Sequence, residues 1–267
     1  MGPPGRRAGG EGRAAGEGSF ARPGQAVNRR VPGRGVGLTN SYDLVSSTTH
    51  LFTAVWAAYA TLILVRLTRG HGPGRWAVGF FGLSMVLLYL ASGTFHGARL
   101  YTQETDRLFQ RLDKSAIFLL IAGSYVPVFV YLLRGQWRRW ALGAMLGIAA
   151  AGIASLWLLP DLPHPQLVGI YAGMGVVGFV TVPKIVATAG WSGIGWIVAV
   201  AVSYLSGAAV EVLKWPVLVP GWVGPHEILH VADVLGTAAM FVFVSRHVIR
   251  RPPLPADPDR RQFTARA

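Results

Sequence analysis

The chain contains no cysteine. Disulfide bonds are therefore excluded, and so is any thiolate metal site. A metal bound here must use histidine or carboxylate ligands. Charge is also scarce: only 14% of the 267 residues are charged, and Asp and Glu together number 12. Against this, 52% of the residues are hydrophobic and the mean hydropathy is +0.41. That balance excludes an ordinary soluble enzyme and describes an integral membrane protein. The formal net charge of +13 comes from basic residues in tails and short loops. Arginines that flank apolar spans are expected to meet anionic lipid headgroups, not nucleic acid.

Residues 1–41 have almost no apolar run and are rich in Gly, Pro and Arg, the composition of a disordered tail. The Arg6-Arg7 and Arg29-Arg30 pairs do not make a twin-arginine export signal. The apolar stretch that follows is too long and lacks a small-residue cleavage pattern. A bilayer-crossing helix needs about 20 mostly apolar residues. Seven stretches qualify: Leu44–Leu67, Trp76–Ala98, Leu112–Leu133, Trp140–Leu159, Leu167–Ala189, Ile194–Leu213 and Pro225–Ile249. The expected fold is thus an all-α integral membrane bundle of seven helices over residues 42–249, with a basic tail over 250–267. Trp137, Trp140, Trp191 and Trp222 stand near span ends, where interfacial aromatics collect. Lys and Arg divide almost evenly between the two sides, so the positive-inside rule does not orient the chain.

Parity is more informative. The second span ends at the membrane face where the third and seventh begin. The second closes on Ser92-Gly93-Thr94-Phe95-His96, the third opens on Asp113-Lys114-Ser115, and the seventh opens on His226 and His230. The first and sixth spans add His50 and Glu211 at the same face. The opposite face has hardly any histidine or carboxylate. Ionisable residues at membrane depth are expensive and by default mark function, so this one-sidedness predicts a shared site.

Its centre is Pro225-His226-Glu227-Ile228-Leu229-His230-Val231-Ala232-Asp233-Val234. Pro225 suits a helix start. His226 and His230, four apart, share one helical face, and Asp233 follows on it. With His96 they would give zinc three neutral nitrogen ligands and an open fourth position. Zinc lowers the pKa of a bound water to about 7. Asp113 could take a proton from that water, orient it, or fix a histidine tautomer. Ser92 lies four residues before His96, on the same face, and its hydroxyl could bond the water or a substrate carbonyl. A site at lipid depth calls for an amphiphilic substrate with a carbonyl near its headgroup.

Each residue also has a plainer reading. His96 could be an interfacial side chain. Asp113 could be a carboxylate favoured by a helix N-terminus. Ser92 could bond the carbonyl one turn back, and His50 could belong to the polar helix entrance Ser46-Ser47-Thr48-Thr49. Glu211 and Lys214 could pair at i, i+3. His226-Glu227-x-x-His230 is also the HExxH pattern of zinc proteases, with the Glu as general base; its third ligand would have to be Asp233, which is too close on the same helix. A non-enzymatic receptor or pore with a structural metal is the remaining alternative.

The motifs resemble a bacterial member of the hemolysin III group, within the progestin and adiponectin Q receptor superfamily. The resemblance rests on Ser92-x-x-x-His96, on the run Leu112-Asp113-Lys114-Ser115 through Pro127, on His226-Glu227-Ile228-Leu229-His230, and on Thr49-His50. It covers Asp43 to the end of the last span. It implies seven membrane helices with the N-terminus in the cytoplasm. It also implies zinc near the cytoplasmic face on His96, His226 and His230, with Asp113 and Ser92 near the metal's water. In the adiponectin receptor branch it implies ceramidase-like hydrolysis of a lipid amide; in the bacterial branch the usual label is a lytic, pore-forming activity. The chain departs from the pattern at Lys114, where relatives commonly have His, at Asp43 in place of Glu, and at Ser46 in place of Asn. Asp233 and Glu211 stand where apolar or aromatic residues are expected.

Overall fold

The structure is a computed structural model that describes residues 41–97, 103–159, 163–250 and 252–254. The expected N-terminal tail before Ser41 and most of the C-terminal tail lie outside the described residues. Seven helices follow in order: α1 (Ser41–Leu67), α2 (Pro73–Gly97), α3 (Gln103–Leu132), α4 (Gly135–Leu158), α5 (His164–Ala189), α6 (Ile194–Leu213) and α7 (Pro225–Phe243). All seven are long and apolar enough to cross a membrane. The protein is a seven-helix membrane bundle.

α1 packs on α2, α2 on α3, α3 on both α4 and α5, and α7 on both α6 and α1. α3 is the most buried of the seven and forms the centre. Large apolar side chains such as Phe52, Trp76 and Phe179 stay exposed on the outer surface, as a lipid-facing surface requires.

Five helices start earlier than their apolar runs suggest. α1 begins at Ser41, α2 at Pro73, α4 at Gly135, α5 at His164, and α3 at Gln103, nine residues ahead of the expected start. The residues gained in α3 are mostly polar, including Asp106, Arg107 and Arg111. A scan for apolar length stops where hydrocarbon burial stops, whereas backbone hydrogen bonding continues. At the other end, α7 leaves α-helical geometry at Phe243 and continues as a π-helical turn over Val244–Val248.

Glycine sets two close approaches. A Cβ on Gly93 would lie 2.8 Å from Leu51 Cγ and 3.1 Å from the Leu51 backbone nitrogen. Ser47 Oγ donates to the Gly93 carbonyl at 2.9 Å. Gly93 and Gly97, four apart, form the small-xxx-small pattern that lets membrane helices touch. A Cβ on Gly207 would meet the Ala232 Cβ at 2.8 Å, which draws α6 onto α7.

On the face away from the histidines, Arg138 of α4 is buried. Its guanidinium donates to the carbonyls of Leu133 at 2.9 Å, Val130 at 2.7 Å and Leu254 at 2.6 Å. One side chain thus satisfies carbonyls at the end of α3 and in the segment after α7.

Candidate metal centre

α2 ends and α7 begins at the same end of the bundle, and this brings three imidazoles together. His226 Nε2 lies 3.3 Å from His96 Nε2 and 3.1 Å from His230 Nε2. One nitrogen from each ring falls within 4.8 Å of the other two. His96 and His230 are buried and His226 is partly exposed.

The far sides of two rings show why these nitrogens converge. His96 Nδ1 donates to Asp43 Oδ1 at 3.2 Å. That bond places the proton on Nδ1 and leaves Nε2 a bare acceptor. Glu211 Oε2 stands 3.6 Å from His226 Nδ1 and biases that ring the same way, while its other oxygen pairs with Lys214. Two bare lone pairs facing each other at 3.3 Å repel unless a cation lies between them. Tetrahedral zinc at about 2.0–2.1 Å from each nitrogen spaces its ligands about 3.3 Å apart. The donor set, its spacing and its carboxylate partners therefore fit zinc.

Asp113 is a different residue from the one a short α3 would make it. With α3 starting at Gln103, Asp113 sits in the third turn, so stabilisation by the helix N-terminus does not explain it. It faces the Ser92 hydroxyl and the His96 and His226 rings. Ser92 is buried, with its hydroxyl turned toward Asp113. The structure thus brings His96, His226, His230, Asp113 and Ser92 into one neighbourhood.

Glu227 is turned elsewhere. Its Oε2 accepts from the Gly224 N–H at 3.0 Å, closing the first turn of α7, and its Oε1 accepts from Ser46 Oγ at 3.0 Å. Both oxygens serve the helix junction, which argues against the HExxH scheme. Glu211 and Lys214 do pair, but the carboxylate also backs His226, which the pairing alone did not predict.

α1 contributes a whole polar face to the site. Asp43, Ser46, Ser47 and His50 fall on one face at i, i+3, i+4 and i+7. They meet His96, Glu227, the Gly93 carbonyl and His230 respectively. His50 is 2% exposed and stacks on His230, with ring centroids 3.9 Å apart and planes 15° apart. Its ring faces the main chain of His230, yet neither nitrogen completes a hydrogen bond. The signal for this role was present as the i, i+3, i+4, i+7 spacing of the polar residues in α1.

The family model for haemolysin-III-related proteins matches residues 38–241. The chain belongs to that family. Among similar haemolysin-III and receptor proteins, hemolysin-3 from Bacillus cereus is 37% identical over 112 residues, which is 41% of this chain and 50% of that protein. The adiponectin receptor protein of Drosophila melanogaster is 28% identical over 181 residues, 61% of this chain and 40% of the receptor. The hemolysin-3 homolog of Bacillus subtilis (strain 168) is 26% identical over 212 residues, 79% of this chain and 96% of its own length. The match thus spans half or less of the first two relatives. The His96, His226 and His230 cluster of this haemolysin-III-related chain lies within the matched region.

Proposed function

We propose that this membrane protein is a zinc-dependent hydrolase of a membrane lipid amide, ceramidase-like in reaction type. The observation that carries the reading is the face-to-face approach of His96 and His226 Nε2 at 3.3 Å, with Asp43 on the far nitrogen of the first ring. A purely structural cation would not need an inward-facing carboxylate beside it, and Asp113 supplies one.

Zinc held by His96, His226 and His230 would supply Lewis acidity and a water ionising near neutral pH. The remaining steps belong to the chain. The Ser92 hydroxyl donates to the Asp113 carboxylate and orients it. Asp113 takes the proton of the attacking water as its oxygen bonds the amide carbon. The proton passes to the amide nitrogen as the C–N bond breaks, releasing a fatty acid and an amine. Asp43 and Glu211 hold the rings of His96 and His226 in place throughout.

The amphiphile reaches the site from the surrounding leaflet. The site end of the bundle, with the N-terminus, faces the cytoplasm in this reading, and basic residues such as Arg66, Arg134 and Arg139 meet anionic headgroups at the other surface.

Two measurements test the proposal. Metal analysis of purified protein should find one zinc per chain, and His230→Ala should remove it. Incubation with N-acyl lipids should release fatty acid from wild type and not from Asp113→Ala. A folded wild type without stoichiometric zinc overturns the reading. Zinc with no turnover, or haemolysis that survives loss of all three histidines, favours a receptor or pore.

A further inference from the structure

Asp233 has no part in the chemistry above, yet it lies on the same face of α7, three residues beyond His230. Its carbonyl accepts from the Tyr89 hydroxyl at 3.3 Å, which places this turn of α7 against α2 in the bundle interior. The carboxylate itself makes no hydrogen bond and no ion pair among the described residues. Its surroundings are Asp113 of α3, Tyr89 of α2, Tyr171 of α5 and Tyr204 of α6.

Two of those tyrosines have their protons committed elsewhere: Tyr89 shares its proton between Thr237 Oγ1 at 2.7 Å and the Asp233 carbonyl at 3.3 Å, and Tyr171 donates to the Lys114 carbonyl at 3.0 Å. The Tyr204 and Thr237 hydroxyls bond each other at 3.0 Å, with either as donor. The carboxylate is not sealed off. Neither of its oxygens is among the fully enclosed side-chain atoms that lack a hydrogen-bond partner. Asp233 is only partly buried although it points inward. It therefore borders open space inside the bundle, beside Asp113.

Depth decides what fills that space. At about 1.5 Å of rise per residue, Asp233 lies about 4.5 Å further along α7 than His230, away from the membrane surface. A lipid whose amide sits at the histidines passes Asp233 with the chain that runs into the bilayer, not with its headgroup. A carboxylate pressed against bare methylene groups would cost free energy with no return. A hydrogen-bond donor on that chain removes the cost.

We infer that Asp233 is a specificity determinant that receives a hydroxyl or ammonium group carried on the acyl chain, a few bonds from the scissile carbonyl. This rests on the lipid-amide reading for the placement of the carbonyl. The substrate class is then a lipid amide with a substituted acyl chain.

The test uses the full-length, zinc-loaded protein in lipid nanodiscs. Three N-acyl amides share one headgroup and one chain length: plain, 3-hydroxyacyl and 3-aminoacyl. They are compared in wild type, Asp233→Asn and Asp233→Leu, with zinc content and thermal midpoint recorded for each. Wild type should favour a substituted chain over the plain one at least about tenfold in kcat/KM, because a site built to bond a polar group rejects the analogue lacking it. Asp233→Leu should erase or reverse that ratio with zinc retained. Asp233→Asn should keep part of a hydroxyl preference and lose an ammonium preference, which tells the two donors apart.

Equilibrium binding of the same three amides to zinc-stripped protein separates this inference from the hydrolase reading. If no amide is cleaved but wild type binds the substituted chains more tightly and Asp233→Leu does not, hydrolysis fails and the Asp233 site stands. Equal ratios for wild type and Asp233→Leu, in cleavage or in binding, overturn it.

Discussion

Asp43 grips His96 from behind: the Nδ1–Oδ1 distance is 3.2 Å, both side chains are buried, and the opposite ring nitrogen points at His226. A carboxylate one residue-shell out from a ligand fixes tautomer and ring angle together. Asp43→Ala is expected to weaken zinc binding by about 10- to 100-fold, and Asp43→Asn by less, since the amide oxygen still accepts from Nδ1–H. Competition with a chromogenic chelator reads both. Unchanged affinity in Asp43→Ala would show that His96 needs no support from α1.

Glu227 separates the two zinc chemistries. Because both its oxygens are committed to Gly224 and Ser46, Glu227→Gln should lower stability by about 1 kcal/mol while leaving zinc and turnover largely intact. Thermal unfolding and fatty-acid release are measured on the same preparation. Abolished turnover with zinc and fold preserved would restore Glu227 as a general base.

At Gly93 the added methyl of Gly93→Ala meets Leu51 at 2.8 Å and the Leu51 main chain at 3.1 Å. Main chain cannot yield as a side-chain tip can, so α2 must move off α1. The expected cost is about 1–3 kcal/mol, and His96, one turn on, moves with it. Zinc affinity should fall together with the thermal midpoint; a fall in stability alone would show that the end of α2 adjusts independently.

His50 carries two ring nitrogens without partners at a position 2% exposed. His50→Phe keeps an aromatic ring against His230 and removes both orphan nitrogens, so the protein should be at least as stable as wild type. His50→Ala removes the ring and should lower both stability and zinc affinity. A Co2+-substituted spectrum that changes in His50→Ala but not in His50→Phe would assign the effect to stacking.

Much of the bundle is legible in the amino-acid sequence. Seven apolar runs correspond to seven helices, because hydrocarbon thickness sets span length directly. Helix starts were less legible: Gln103–Arg111 is polar, and only backbone geometry carries α3 through it. The gathering of His96, His226 and His230 followed from parity, since alternate span ends share a membrane face. The support from α1 did not follow so easily. Asp43 and His50 act on other helices, and their partners are set by the angle at which α1 crosses α2 and α7. That angle depends on Leu51 packing over Gly93, a three-dimensional contact with no linear signature beyond Gly93-xxx-Gly97.

The Arg138 clasp has a practical consequence for anyone preparing this protein. Its guanidinium is buried, and one of its three carbonyl acceptors belongs to Leu254, past the final helix. Trimming the polypeptide before that residue would take one of three acceptors from a buried guanidinium, leaving only the Leu133 and Val130 carbonyls. Affinity tags and fusion partners therefore belong downstream of Leu254, and a shortened version should be expected to express poorly even though every span is retained.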